Sequence, residues 1–472
     1  MLKKHLISLI TNSHDYRPTQ NQEELINVLA DFVLNKEKKK IVVVKGYAGT
    51  GKTTTISALV KTFRELQIKS MLLAPTGRAA KVLTSYSKKI AYTVHKKIYR
   101  QKSSKDGFGQ FVLEKNLHTN TFFLVDEASM ISNSAGDNVT FGSGRLLDDL
   151  IKYVYSSQGC RLILIGDTAQ LPPVGISISP ALDTQKLEAY GIETEYIELT
   201  EVIRQSQSSG ILITATQIRK NITDKVIGYP KFKISGFDDV ISISGNELIE
   251  EISSAYNRHG INDAIIICRS NKRANNYNQG IRNQIFNYER EIVPGELLMV
   301  VKNNYYWISG DDNIDFIANG DIIEILKIKK YHEFYGFRFA DVIIRLVDYN
   351  IEMDAKIMLD TLTKDSPALS DEDNKKLFYT ILEDYADLKP KKKQYDKARN
   401  SEYYNALQVK YAYAVTCHKA QGGQWKTAFI DQGYITEDMI NVDYLRWLYT
   451  AFTRAVEKLY LVNFPETYFN NT

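Results

Sequence analysis

The chain has 472 residues, 44% of them hydrophobic and 25% charged, and its 60 Lys+Arg against 56 Asp+Glu leave a net charge of +4. That length suits roughly two to four domains, and so mild a charge predicts no bulk affinity for nucleic acid, so any phosphate-binding surface has to be a local track. Cys160, Cys268 and Cys417 lie far apart, which excludes a zinc pattern and a disulfide framework and predicts a reducing, cytoplasmic setting.

The start, MLKKHLISLI, has only a short apolar stretch and no small-residue cleavage site, unlike a signal peptide. Runs such as IVVV, FFLV and AIIIC are of buried-strand length, far short of a membrane span. Along the chain, KKIVVVKGYAGTGK, KSMLLAPTGRAA, NTFFLVDEAS, RLILIGDTAQ and DAIIICRSNKRA each join a β-branched run to a turn and a helical pattern. Continuous hydrophobicity predicts strands covered on both faces, hence parallel sheets of α/β type, with ligands at the carboxyl ends of the strands. Residues 101–110, QKSSKDGFGQ, predict a projecting hairpin, and residues 133–144 a second polar loop. From 296 to 346, GELLMVV, DFIANGDIIEILKI and FRFADVIIRLVDY are separated by NG, DD and YG turns and predict a small antiparallel β-barrel inserted in an α/β domain. A polar helical passage carrying the basic run at 389–399 leads back to a final strand–helix pair.

The chemistry gathers at the ends of the first strands. Gly46-Tyr47-Ala48-Gly49-Thr50-Gly51-Lys52-Thr53 fits G-x-x-x-x-G-K-[ST] in full, between a strand and the helical TTTISALV. Gly46, Gly49, Thr50, Gly51, Lys52, Thr53 and Thr54 are therefore the phosphate-binding candidates: backbone N–H groups cradle the phosphates, Lys52 reaches the β/γ oxygens and the Thr53 hydroxyl ligates Mg²⁺. Asp126 and Glu127 end the FFLV strand, where Asp126 is expected to hold Mg²⁺ and Glu127 to orient and deprotonate water. Gln170, after the LILIGD strand, is a candidate sensor of the γ-phosphate. These residues specify a nucleotide triphosphatase without saying what hydrolysis drives.

The segment YAVTCHKAQGGQW, 413–425, puts Cys417 beside His418. On a strand the two face opposite ways, which argues against a nucleophile–base pair, and no second Cys or His stands near for a metal. Gly422 and Gly423 let the backbone approach a ligand, Thr416, His418 and Gln421 can hydrogen-bond phosphates or water, and Cys417 is expected in the core.

In order, the motifs resemble those of superfamily 1B helicases of the RecD/Dda-like group in compact form without a nuclease domain, over about residues 15 to 463. TQNQ at 19–22 resembles the adenine-reading motif, with Gln22 as reader; APTGRAA at 74–80 and TVH at 93–95 resemble motifs Ia and Ib; VDEAS and GDTAQLPPVG resemble motifs II and III. ELTEVIRQ at 198–205 resembles motif IV, with Arg204 as a γ-phosphate contact, 413–425 motif V, and YTAFTRA at 449–455 motif VI, with Arg454 as arginine finger. The resemblance implies an α/β fold of two RecA-like parallel-sheet domains: the first at 1–98 and 120–205, the second at 206–290 and 408–472. It also implies a small hairpin insertion (1B) at 99–119, either a strand-separating pin carrying Phe108 and Phe111 as candidate aromatics or a plain surface hairpin, and an SH3-like β-barrel insertion (2B) with a helical basic segment at 291–407. The nucleic-acid contacts it implies are Pro75, Thr76, Arg78, Lys81, Thr93, His95 and Lys96 on one domain and Asn271, Lys272, Thr416, His418 and Lys419 on the other. The activity implied is ATP- and Mg²⁺-dependent unwinding by a monomer moving 5′-to-3′ on single-stranded DNA toward duplex or fork junctions, as in repair or recombination. A nucleic-acid-stimulated ATPase acting as a switch or clamp, and an RNA-directed helicase distinguished by 2′-OH contacts, share the same motifs.

Overall fold

The computed structural model describes residues 1–14, 16–35, 39–101, 111–134, 141–201, 209–308 and 316–469. The first sheet has six strands in the order Ala91–Thr93, Ser70–Ala74, Phe122–Val125, Arg161–Gly166, Lys40–Gly46 and Glu193–Leu199, and every pairing is parallel. Ile41, Val42, Val43 and Val44 are all fully buried, so successive side chains on both faces meet helices, as the unbroken apolar run requires. The N-terminal stretch is the helix Leu2–Asn12, whose Leu6 and Ile10 pack into this domain's core beside the helix Gln20–Leu34. No helix among the described residues is long and apolar enough to cross a membrane.

The second sheet is also wholly parallel, in the order Ala414–Thr416, Ala264–Cys268, Trp425–Asp431, Ala455–Val462 and Val240–Ile243. The two sheets are the RecA-like cores that the motif resemblance implies. Between the second and third strands of this sheet in chain order, after Ala264–Cys268, comes a closed five-stranded barrel of Leu297–Val300, Ile322–Phe334, Phe337–Leu346, Ile351–Met358 and Leu407–Tyr411.

One boundary moves. The run LQVKY was expected to straddle the return to the second RecA-like domain at 408; instead Leu407–Tyr411 closes the barrel, antiparallel to Leu297–Val300 and parallel to Ile351–Met358. All five of its residues are buried, and a buried run reads alike in a barrel and in a parallel sheet, so only its partner strands decide. The polar passage forms the helices Asp371–Glu383 and Lys391–Arg399, which pack through Leu377, Ile381 and Ala398 on barrel residues Phe337, Phe339 and Met358. The expected hairpin pairs Tyr99–Gln101 with Phe111–Leu113; its tip, with Phe108, lies outside the described residues.

Candidate active site and nucleic-acid interface

A cleft of about 560 Å³ opens between the two sheets, lined from the first by Gly49, Gly51, Lys52, Thr53, Asp126 and Gln170 and from the second by Arg454. Its phosphate loop is shaped by glycine. Gly49 and Gly51 take left-handed φ values of 76° and 78°, which residues with a Cβ adopt at a cost. A Cβ on Gly46 would stand 2.9 Å from the Lys52 side chain and 3.1 Å from Leu199, so this glycine makes room for the lysine stem. The Lys52 ammonium donates to the carbonyls of Gly46 (2.7 Å) and Tyr47 (2.8 Å). Thr53 and Thr54 line the cleft at the start of the helix Lys52–Glu65, while Thr50 is buried and its hydroxyl donates to the Tyr47 carbonyl.

Gln22 does not line this cleft. It is buried, closes a capping box with Thr19, and its Nε2 donates to the Thr50 carbonyl at 3.0 Å. The structure thus uses it to tie the helix Gln20–Leu34 to the phosphate loop. Tyr47, which sequence reasoning passed over, lines the cleft with its hydroxyl on Glu198 (2.7 Å) and its ring under Arg219 (4.2 Å). A tyrosine at a variable position of the loop carries no signal that would have found it.

Asp126 and Glu127 face Lys52 across the cleft. Burial first, and then the Glu127 charge, pushes the Asp126 carboxyl up to about 6. A half-buried, mutually repelling acidic pair lining the same cleft as Thr53 suits a hard dication, which takes oxygen ligands and needs few protein carboxylates when phosphates supply the rest. Among the described residues no group of three or more His, Cys, Asp and Glu could hold a metal by itself. Glu127 has a left-handed φ of 53°, a conformation rare for a residue with a Cβ and found most at functional sites. Gln170 is 7% exposed, and its buried Oε1 has no hydrogen-bond partner among the described residues. Arg454 is buried, its guanidinium donating to the Thr450 carbonyl (3.0 Å), the Gly423 carbonyl (3.2 Å) and the Thr453 hydroxyl (3.1 Å). Arg204 lies outside the described residues.

The segment after the third phosphate-site strand is held by the second domain. The Tyr449 hydroxyl donates to Asp167 (2.6 Å) and accepts from the Ala48 N–H of the phosphate loop (2.8 Å). The Leu171 N–H donates to Thr450 (2.8 Å), and Gln421 Nε2 donates to the Leu171 carbonyl (2.7 Å). Gly422 and Gly423 were expected to let the backbone approach a ligand; what approaches them is the first domain. A Cβ on Gly422 would lie 2.9 Å from Ala79 Cβ; one on Gly423 would meet the Trp425 ring of its own domain first, at 2.5 Å, and then Arg78 Nε at 2.8 Å. Cys417 is fully buried in the core, as expected. It and His418 stand on a short helix, Cys417–Ala420, rather than on the strand, which ends at Thr416.

A second cleft, of about 300 Å³, gathers Pro75, Thr76, Arg78, Thr93 and His95 from the first domain with His418 and Lys419 from the second. Thr76 and Thr93 also cap their helices, accepting from the N–H of Ala79 and Lys96 at 3.2 Å each. Three of the expected contacts change character. Burial against Tyr99 and Phe141 pushes His95 down to about 4, so its ring is neutral at pH 7. The Arg78 guanidinium stacks on Trp425, 3.9 Å from the ring centroid. Lys81 pairs with Asp348 of the barrel at 2.9 Å. Thr416, Asn271 and Lys272 line neither this cleft nor the nucleotide cleft; the last two open the helix Asn271–Gln284 behind its Ser270 cap. Lys96 lies over the Tyr92 ring at 5.6 Å.

The barrel completes this cleft with Met299, Asn303, Phe316 and Asn319, and Lys419 hydrogen-bonds Asn319. None of these carried a motif. Phe111, at the hairpin base, is 4% exposed and packs on Phe141 (4.8 Å), Tyr305 (4.4 Å) and Phe316 (6.3 Å). It is therefore a fastening between hairpin and barrel, not an exposed pin.

Two family models match the chain: the AAA domain over residues 20–231 and the UvrD-like helicase C-terminal domain over residues 411–462. The chain is 26% identical over 434 residues to the ATP-dependent DNA helicase Dda of Enterobacteria phage T4, covering 87% of this chain and 92% of that relative. It is 32% identical over 176 residues to the ATP-dependent RecD2 DNA helicase of Deinococcus radiodurans, covering 37% of this chain and 21% of that relative. An uncharacterized protein of Methanocaldococcus jannaschii is 24% identical over 95% of this chain, which spans 39% of its length. Among solved structures, a Pif1 helicase from Bacteroides in complex with single-stranded DNA superposes with a TM-score of 0.46 at 15% identity, covering 97% of this chain and 95% of that one.

Proposed function

We propose that this chain is a superfamily 1B helicase, an ATP-dependent DNA helicase that moves along a single strand and opens duplex ahead of it. The observation that carries the reading is the pairing of two clefts across the same domain boundary. One joins the phosphate loop, Glu127 and Gln170 to Arg454. The other joins motif Ia and Ib residues to His418 and Lys419. Gln421 lines the second cleft while its side chain holds Leu171, one residue from Gln170. Both RecA-like domains of the one chain line each cleft, and a monomer is taken as the working unit.

Lys52 would exchange its loop carbonyls for the β/γ-phosphate oxygens of ATP. Thr53 and Asp126 would hold Mg²⁺, which when bound neutralises phosphate charge. Glu127 would orient the attacking water and take its proton, and Gln170 would offer its unpaired amide oxygen to that water. Arg454, fixed by three hydrogen bonds, would meet the charge developing on the γ-phosphate with little reorganisation; Arg204 is assigned the same task from motif IV. Closing and opening of the nucleotide cleft then shifts Arg78, His95 and the motif Ia helix against His418 and Lys419, so the two domains alternate their hold on the strand. The first RecA-like unit is taken as 1–98 and 120–205 with the hairpin at 99–119, the barrel unit as 291–411, and the second RecA-like unit as 206–290 and 412–472. Direction of travel is proposed as 5′-to-3′ from the 1B resemblance.

The test is steady-state ATP hydrolysis with and without single-stranded DNA, beside Lys52→Ala, followed by unwinding of duplexes bearing a 5′ or a 3′ tail. A large DNA-dependent rise and unwinding from the 5′ tail are expected. Stimulation without unwinding would replace the helicase by a switch or clamp. Stimulation by RNA alone would change the substrate.

A further inference from the structure

The helix Gly210–Thr223 belongs to the second domain, where its Ile211, Ala215 and Ile218 are buried in the same core as Leu448 and Phe452. Leu212 of this helix lines the nucleotide cleft, and Arg219 stands two turns beyond it on the same side. No sequence motif marked this arginine. Its guanidinium crosses the domain boundary and lies over the Tyr47 ring of the phosphate loop, 4.2 Å from the centroid. Its Nη1 is buried, with no hydrogen-bond partner among the described residues. Buried guanidinium nitrogens usually face an oxygen. Here the cation faces a ring, and desolvation strengthens that attraction.

Tyr47 is suited to be held in this way. Burial first, and then the Glu198 carboxylate, push its hydroxyl up to about 12, so at neutral pH it keeps the proton it donates to Glu198 at 2.7 Å. The partner of Arg219 is therefore a neutral π face and not a phenolate. Glu198 is on the first-domain strand Glu193–Leu199, so one domain fastens the ring at its edge and the other on its face. The Tyr47 carbonyl accepts from Lys52 Nζ and from the Thr50 hydroxyl, each at 2.8 Å. A shift of Tyr47 thus moves the residue that holds the phosphate-binding lysine.

We propose that Arg219 is a positioning residue for ATP hydrolysis: with its guanidinium the second domain holds Tyr47, and through Tyr47 keeps the phosphate loop and Lys52 in the arrangement that receives the β- and γ-phosphates. Arg219 does not line the nucleotide cleft, so it acts through the loop, whereas Arg454 and Arg204 are assigned to the phosphates themselves. The inference rests on the ATPase reading of the cleft.

The experiment is steady-state ATP hydrolysis with and without single-stranded DNA, beside thermal melting, for the wild type, Arg219→Ala, Arg219→Lys, Tyr47→Leu and the double variant Arg219→Ala/Tyr47→Leu. Loss of a desolvated cation–π contact should lower kcat/KM for ATP about 5- to 30-fold in Arg219→Ala. Tyr47→Leu should lose at least as much. The double variant should be no worse than Tyr47→Leu alone, because the cation then has no ring to hold. Arg219→Lys, which keeps a cation over the ring, should recover most of the loss. Losses that multiply in the double variant would overturn the proposal, and so would a lysine variant as poor as the alanine one. An unchanged kcat/KM in Arg219→Ala, whatever its melting temperature, would also overturn it. A folded wild type that hydrolyses no ATP would instead overturn the ATPase reading of the cleft, and the role of Arg219 with it.

Discussion

Removing one hydroxyl, by Tyr449→Phe, tests whether the two domains are coupled through the nucleotide site. Tyr449 is 1% exposed, and phenylalanine fills nearly the same space, so the packing change is small. Two bonds are lost: the 2.6 Å donation to Asp167 and the 2.8 Å acceptance from Ala48 N–H. Asp167 keeps the Ala169 N–H at 2.9 Å, whereas Ala48 loses its partner. A bond to a charged group contributes about 1.5–3 kcal/mol and a neutral one about 0.5–1.5 kcal/mol, a total of about 2–4.5 kcal/mol. Both bonds cross from the second domain to the first, so the cost falls on the closed arrangement of the cleft. We expect kcat/KM for ATP at saturating single-stranded DNA to fall by about 30- to 2000-fold. The assay is steady-state hydrolysis with parallel thermal melting. A normal kcat/KM with a lowered melting temperature would show the hydroxyl to be scaffold, and the coupling argument would fail. No change in either would mean that the bridge does not form in solution.

Three further outcomes are expected. Gly422→Ala should destabilise the contact between the domains by about 1–3 kcal/mol, since it adds a Cβ at a φ of 73° and 2.9 Å from Ala79; unchanged melting and unchanged DNA-stimulated hydrolysis would refute the close approach. His95 is held at a pKa of about 4 by burial, below its unfolded value. Between these two values the unfolded chain binds a proton the folded one does not, so stability falls as pH drops from about 6.5 toward 4 by at most about 1.4 kcal/mol per unit. His95→Phe should flatten that part of the melting profile, and an identical slope in the variant would contradict the assignment. His418→Ala should reduce the DNA-stimulated component of hydrolysis more than the DNA-free rate, because His418 borders the candidate nucleic-acid cleft and not the nucleotide cleft; equal loss in titrations with and without DNA would place it in the cleft chemistry.

What the sequence by itself determined is the local chemistry. Gly49, Gly51, Lys52 and Thr53 specify a phosphate loop because left-handed glycines and a helix start are fixed by residues a few positions apart. The runs IVVV, FFLV and AIIIC predicted buried parallel strands for the same reason: both faces of each strand are written in consecutive residues. Tertiary structure decided everything that depends on which buried surface meets which. Leu407–Tyr411 could close a barrel or join a sheet, and its partners chose the barrel. Arg78 and His95 read alike as nucleic-acid contacts, and only the tertiary structure lays Trp425 under the first and packs Tyr99 and Phe141 on the second, desolvating it. Gly422 reads as a ligand-facing turn until Ala79 occupies that space. Hydrophobic burial is non-directional, so it names no partner. Contacts such as Tyr449 to Asp167, 282 positions apart, exist only once the two sheets have folded and met.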